Sequence, residues 1–314
     1  MDSLHSVRAE NVTAIYQLLD GIFRNQPGAA GQRVRTDFPL FFAADNLRNR
    51  RVIRCGDQTI CHAGIWPRVL TIGTTRLKTG VIVLVATHPA HRRRGLAARC
   101  MLSLQRQLKT EHYDLGILWT GVPGFYEPLG WRIARPSGDY LPRTGAARPF
   151  LLQQMEQAAP FRLQNFDAEH HLQGVMELQR QHPVRMLRSV SDFRQLLALP
   201  KIQVWVVQRE TVDAYLVAGQ AVNKRGILEY GGSTSDILAG IGALLRAGRL
   251  DEETPLPIFG SDSKLAEHLR SAGILLAPLE SSKGQGTEMR LVLDSQRLTE
   301  SHQERLFVWG LDWA

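Results

Sequence analysis

The chain is short of cysteine, of long apolar runs and of acid relative to base, and each shortage narrows what it can be. Its three cysteines, Cys55, Cys61 and Cys100, form no CxxC pair, and an odd number argues against a secreted disulfide framework. No apolar run approaches the roughly 18 residues that a membrane span needs. The opening residues, MDSLHSVRAENVTAIYQLLDGIF, are polar and mixed in charge where a signal peptide would be basic and then apolar. A soluble cytoplasmic protein with no membrane partner is expected. The ten histidines are scattered, and His170-His171 has neither companion cysteines nor the HExxH spacing, so no metal is expected. Residue order reveals no Ser-His-Asp arrangement.

Acidic residues number 30 against 38 Lys and Arg, a formal charge of +8. Such a surplus attracts polyanions or steers a small anionic ligand, and by itself it does not separate the two. The bases gather in Arg48 to Arg54 (RNRRVIR) and in Arg92 to Arg94. The first run reads equally as solvated surface charge. Zinc-finger and RNA-recognition signatures are missing, and no nucleic-acid partner is expected.

A length of 314 residues suits two domains of about 150 each. Val12 to Phe23 sets Ile15, Leu18, Leu19 and Phe23 at helical spacing behind Asn11 as N-cap. Three β-branched runs follow, RVIRC, TICHAGIWPRVLTIG and VIVLVATHP, separated by turn signals, and read as consecutive antiparallel strands. After Gly95 the period changes: Leu96, Met101, Leu104 and Leu108 line one face of a helix, and DLGILWT follows as another strand. A short helix at GFYEPLGW leads to the strand WRIAR, and Pro- and Gly-rich text from Pro136 to Pro149 closes the unit. The second half repeats the order of elements at a spacing of about 145 residues, a weak internal duplication. It lacks the basic loop: HRRRGLA in the first half corresponds to GGSTSDI in the second.

The strand Val81 to Thr87 runs through Pro89 and three arginines into a helix. A helix start presents backbone N–H groups without intrahelical acceptors, and the helix dipole adds partial positive charge there, so a phosphate fits. Gly95 lets the backbone approach closely, Ala97 keeps the first turn uncrowded, and Arg92, Arg93 and Arg94 add charge and hydrogen bonds. The opposite reading is a solvated helix end with surplus arginines.

VLVATHPAHRRRGLAARCM, Val83 to Met101, resembles the acetyl-CoA strand and Q/R-x-x-G-x-G/A pyrophosphate loop of the GNAT superfamily of N-acetyltransferases, with Arg92, Gly95 and Ala97 at the motif positions. FYEPLGW, Phe125 to Trp131, is similar to that family's FYxxxGF segment. Alanine replaces the second glycine of the loop. The resemblance spans about residues 5 to 140, and the whole chain is similar to the tandem arrangement of the enhanced-intracellular-survival acetyltransferases.

The resemblance implies an α/β (α+β) fold of two GNAT-like domains, each a mixed, mostly antiparallel twisted sheet flanked by helices. Residues 1–150 would be the catalytic domain and 151–314 a degenerate GNAT-like domain with a C-terminal tail. It implies direct transfer of an acetyl group from acetyl-CoA, as co-substrate, to a primary amine of a small molecule or peptide. Backbone groups of Leu84, Val85 and Ala86 would pair with the pantetheine arm, with Thr87 adding a contact, and the Val85 N–H would polarise the thioester carbonyl. Arg92, Arg93, Arg94, Gly95, Leu96 and Ala97 would hold the pyrophosphate. Tyr126 would protonate the departing thiolate; without the resemblance it reads as a core aromatic, as Phe125 does.

The glutamate many family members use as proton acceptor has no counterpart in Val81 to Thr87, leaving His88 and Asp45 as weak candidates. The apolar tail LFVWGLDWA should dock, and by the same resemblance the carboxylate of Ala314 would reach the active site. Glu229 lies on the matching strand of the second half, which lacks a phosphate cradle and would instead shape the acceptor cleft. The competing reading is a non-catalytic acyl-CoA-binding regulatory protein.

Overall fold

The computed structural model describes residues 3–6, 12–24, 34–134, 138–221, 224–259, 263–278, 286–306, 308 and 310–313. Its first strands are β1 (Ser3–Ser6), β2 (Arg50–Cys55), β3 (Gln58–Ile72), β4 (Thr75–Thr87), β5 (Leu115–Thr120), β6 (Arg132–Ile133) and β7 (Gly138–Leu141). Then come β8 (Arg162–Asn165), β9 (Val184–Met186), β10 (Ile202–Gln208), β11 (Val212–Ala221) and β12 (Lys224–Gly232). The last are β13 (Leu256–Phe259), β14 (Ala277–Pro278) and β15 (Thr287–Val292). Twisted, mostly antiparallel sheets flanked by helices divide between two compact units. The described residues of 1–70, 75–134 and 286–300 make one, and those of 71–74, 135–285 and 301–314 the other.

The sheet of the first unit has the order β1-β2-β3-β4-β5-β15-β6. Helix α1 (Val12–Phe23) buries Ile15, Leu18 and Leu19 as its spacing predicts; Asn11, its expected cap, lies outside the described residues. After the single turn α2 (Val34–Asp37), helix α3 (Leu96–Thr110) turns Leu96, Cys100, Met101, Leu104 and Leu108 into the main core. Helix α4 (Pro123–Tyr126) brings the chain to Trp131, fully buried above Gly116, where a Cβ would stand 2.8 Å from the indole.

Strand β15 was not foreseen. It inserts between β5 and β6, with Met289 opposite Leu118 on one side and Ile133 on the other. Met289 is fully buried in the same core as Leu118 and Trp131. Whereas a single division at residue 150 is expected, residues 138–150 group with the second unit and 286–300 return to the first. The physical reason is pairing: β5 and β6 would otherwise present unpaired N–H and C=O groups, which a third antiparallel strand satisfies.

The second unit holds an antiparallel sheet of order β12-β11-β10-β8 and a smaller one of order β13-β7-β14. Its helices include α5 (Arg148–Gln157), α6 (Leu172–Arg180), α7 (Val190–Leu197), α8 (Thr234–Arg246) and α9 (Ser263–Ser271), followed by the short α10 (Glu300–Arg305). The Pro- and Gly-rich stretch expected to close the first domain contains β7, the central strand of the smaller sheet. No helix among the described residues is long and apolar enough to cross a membrane.

Candidate functional site

The parallel ladder between β4 and β5 pairs Thr79, Gly80 and Val81 with Leu115, Gly116 and Ile117. Beyond Val81, β4 continues to Thr87 outside this ladder. Along that stretch Leu84 adopts φ 54°, a left-handed conformation uncommon for leucine. The kink turns its carbonyl to His62, whose Nδ1 lies 2.8 Å away. Leu84 and Ala86 are buried while Val85 and Thr87 are half-buried, so side chains alternate along a stretch that lies past the end of the ladder with β5. An extended ligand rich in amides, such as a pantetheine arm, fits an edge of this kind. The Thr87 hydroxyl is turned elsewhere, 3.4 Å from Cys61 Sγ, which lies 3.8 Å from Cys100 Sγ; these two thiols are buried and free, and Cys55 is exposed.

At the strand exit His88 caps the turn Pro89–His91, its Nδ1 accepting from Ala90 N at 3.3 Å. Arg93 and Gly95 both have positive φ, 60° and 71°. Gly95 is the N-cap of α3, and the helix's first bond runs from Arg99 N to Gly95 O at 3.0 Å. The amides just before Arg99, those of Leu96 and Ala97 among them, therefore have no intrahelical acceptor. A Cβ built on Gly95 meets no atom within 4 Å, so the loop is open at this position. Left-handed residues alternating with others at a helix start form an anion-binding nest. Arg92, Arg93 and Arg94 are exposed around it. Arg92 Nε donates to Thr87 O at 3.4 Å, and Arg94 Nη1 to His91 Nδ1 at 2.8 Å.

Tyr126 ends α4 and is 7% exposed. Burial pushes its phenol up to about 12, against a smaller opposing effect of a hydrogen bond with Thr120, so the hydroxyl is protonated at every physiological pH. Its ring meets Phe125 edge-on at 4.7 Å. Tyr126 and Leu96 belong to one hydrophobic cluster, against which Val85, Ala97 and Phe125 also pack. Residues of the strand end, the helix start and the short helix α4, far apart in sequence, thus share one core.

Two buried polar residues escaped the sequence reading. Arg50, within the run that reads equally as solvated surface charge, is fully buried, its guanidinium 4.8 Å from each of the Phe41 and Phe42 ring centroids, with Nη2 donating to Phe41 O at 2.9 Å. Burial lowers its pKa to about 10, which leaves it cationic at neutral pH. His62 is fully buried beside it. Burial, opposed by the bond to Leu84 and aided by the Arg50 charge, brings the imidazole down to about 4, so the ring is neutral. The unbroken run of apolar and small residues around it in TICHAGIW, the mark of a strand buried on both faces, was the available signal for an inward histidine. Asp45 is exposed on the turn Ala44–Asn49, and His88 serves as a cap.

Ala314 lies outside the described residues. The tail before it does dock: Leu306, Val308 and Asp312 are buried within the second unit. Arg188 Nε donates to Asp312 at 2.8 Å and Arg188 Nη1 to Glu229 at 2.9 Å, while the Tyr215 hydroxyl donates to Glu229 at 2.8 Å. Burial works against the Arg188 charge, but Asp312 and Glu229 outweigh it and hold its pKa well above the ordinary value. Glu229 is thus committed to a structural network. Asp167, Glu169 and His170 bring potential ligand atoms within 4.8 Å of one another, all exposed. Asp167 Oδ1 there accepts from the backbone N–H groups of Glu169 and His170, an ordinary turn before α6.

Residues 3–134 match the family described as Acetyltransferase (GNAT) domain. No curated protein sequence matches the chain. Among solved structures, the chain is similar to a GCN5-related N-acetyltransferase from Anabaena variabilis at 14% identity and TM-score 0.67, covering 96% of this chain and 75% of that one. It is also similar to Eis1 from Mycobacterium abscessus, at 16% identity and TM-score 0.55, with coverage of 93% and 74%. Saccharomyces cerevisiae N-myristoyltransferase with bound myristoyl-CoA matches at 10% identity and TM-score 0.54, with coverage of 92% and 77%. At these identities the likeness is one of fold.

Proposed function

We propose that residues 3–134, which match the family described as Acetyltransferase (GNAT) domain, form an acyltransferase domain, and that the protein transfers an acetyl group from acetyl-CoA directly to a primary amine of a small molecule or peptide. The observation that carries this reading is that Val85 of β4, Leu96 and Ala97 at the start of α3 and the buried Tyr126 pack in one core, with the left-handed Arg93 and Gly95 just before that helix. Leu84 to Thr87 receive the pantetheine arm, and Arg92 to Ala97 bind the pyrophosphate, chiefly through backbone N–H groups. The Val85 N–H polarises the thioester carbonyl as the amine nitrogen adds to it. The new C–N bond forms, the C–S bond breaks, the thiolate takes the Tyr126 proton, and the proton shed by the amine nitrogen passes to solvent, from which Tyr126 is reprotonated. A phenol kept neutral by burial suits that role.

The second unit is proposed as non-catalytic. Where the first helix start is open and basic, that of α8 is closed by its own residues: Ser233 Oγ accepts from Asp236 N at 3.2 Å, and Asp236 binds Arg209 at 2.8 Å. A carboxylate stands where an anion would bind.

Calorimetric titration of acetyl-CoA, followed by thiol release on a panel of amines with wild type and Tyr126→Phe, tests the reading. Saturable binding with amine-dependent release is expected. The placement of Tyr126 within the core favours one competitor, a non-catalytic acyl-CoA-binding regulatory protein. Binding without turnover on every amine would establish that competitor in its place.

A further inference from the structure

A carbonyl accepts hydrogen bonds and cannot donate them, so His62 Nδ1, 2.8 Å from Leu84 O, carries the ring proton. The tautomer is thereby fixed, and Nε2 is left as a bare lone pair, buried and without a partner. The ring cannot swing away: it is fully buried, and Phe41 meets it edge-on at 6.1 Å and 84°. Its strand position is held by pairing of β3 with β2, where His62 stands opposite Val52.

Leu84 C=O and Val85 N–H belong to one planar trans peptide, and the two groups point in opposite directions across it. Whatever holds the carbonyl therefore aims the amide. The φ of 54° at Leu84 is a conformation that leucine keeps only where its surroundings enforce it. The bond from His62 is one such enforcement. A donor on the carbonyl also polarises the peptide and strengthens the N–H on its far side.

We propose that His62 is a positioning residue for acetyl transfer, its Nδ1–H fixing the Leu84 carbonyl so that the Val85 N–H is aimed at the thioester oxygen. The inference rests on the reading of the β4 edge as the thioester site. It differs from a general-base role. With an imidazole near 4, proton transfer from an alkylammonium of about 10.4 is roughly six orders of magnitude uphill. The ring's contribution is geometric, and its neutrality keeps the single proton on Nδ1.

The test compares His62→Asn, whose side-chain N–H reaches the place of Nδ1, with His62→Leu, which has no donor, and His62→Gln, whose N–H falls nearer the place of Nε2. For each, kcat and KM for acetyl-CoA, calorimetric acetyl-CoA affinity and thermal unfolding are measured. The Val85 amide resonance is followed during acetyl-CoA titration. Leu and Gln are expected to lower kcat roughly 10- to 100-fold, less than outright loss of an oxyanion donor, with acetyl-CoA affinity within about twofold of wild type. Asn is expected to retain most of kcat and the Val85 shift that Leu and Gln lose. Gln provides the comparison if Leu does not fold. Wild-type kcat in Leu or Gln, or an equal loss in Asn, would overturn the inference while the acyltransferase reading stands. Wild type that binds no acetyl-CoA would overturn both.

Discussion

Met289 lies directly opposite Leu118, a residue from the first half of the chain, and both are buried in the core that carries Tyr126. A fragment ending at residue 150 therefore lacks an interior strand of its own sheet, the one that joins β5 to β6. Such a fragment is expected to be insoluble or largely unfolded by circular dichroism, and joining 286–300 to 1–134 through a flexible linker should restore a cooperative transition. In the full chain, Met289→Ala should cost about 2–5 kcal/mol in urea unfolding, the usual range for emptying a buried methionine site.

Gly95 tests the loop. Its φ of 71° disfavours any side chain, but a Cβ there meets nothing within 4 Å. Gly95→Val should lower stability by only about 1–2 kcal/mol while filling the nest. Acetyl-CoA affinity, read by calorimetry, is expected to fall more than roughly tenfold. Arg92→Ala and Arg94→Ala, at exposed positions, should weaken binding several-fold each, with the difference shrinking at high salt.

Tyr126→Phe removes one hydroxyl from a site that stays packed. A drop in kcat of about 10²-fold is expected, with acetyl-CoA affinity unchanged and stability lower by about 1 kcal/mol. Since burial holds the phenol near 12, the wild-type rate should show no alkaline loss from Tyr126 ionisation through pH 10. A kcat profile with a descending limb near 9 that vanishes in Tyr126→Phe would contradict the assignment.

What the sequence made legible follows from how local each cause was. The stripe Leu96, Met101, Leu104 and Leu108 and the turn at Gly95 are decided within a few residues, the first marked by periodicity and the second by the glycine itself. Strand β15 is six residues whose only reason to be a strand is the slot beside β5, far away in sequence. Arg50 looked solvated because its neighbours Arg48 and Arg54 are charged too, and only the fold shows two phenylalanine rings around it. His62 likewise depends on a kink at Leu84 that no pattern in VIVLVAT announces.

The depressed imidazole of His62 has a sign that can be measured. In the unfolded chain it takes up a proton below its ordinary value of 6.5, whereas in the folded protein it stays neutral down to about 4. Its contribution to stability is therefore complete above pH 6.5 and is lost as pH falls towards 4, by up to about 3 kcal/mol. Urea unfolding at pH 7 and pH 4.5 should show that loss in wild type and a smaller one in His62→Asn, which has nothing to titrate.

The docked tail makes the last prediction. Arg188 is a fully buried cation held between Asp312 and Glu229, with Tyr215 donating to the latter. Removing one carboxylate leaves the cation with its desolvation cost and half its compensation, an imbalance typically worth about 3–5 kcal/mol. Asp312→Ala should therefore lower the unfolding midpoint of the second unit and expose the tail to protease. Arg188→Met with Asp312→Leu and Glu229→Gln, which removes the charges together, should recover much of the loss. If Asp312→Ala proved neutral in unfolding and proteolysis, the buried pair would not be what anchors the segment Gly310–Trp313 to β12.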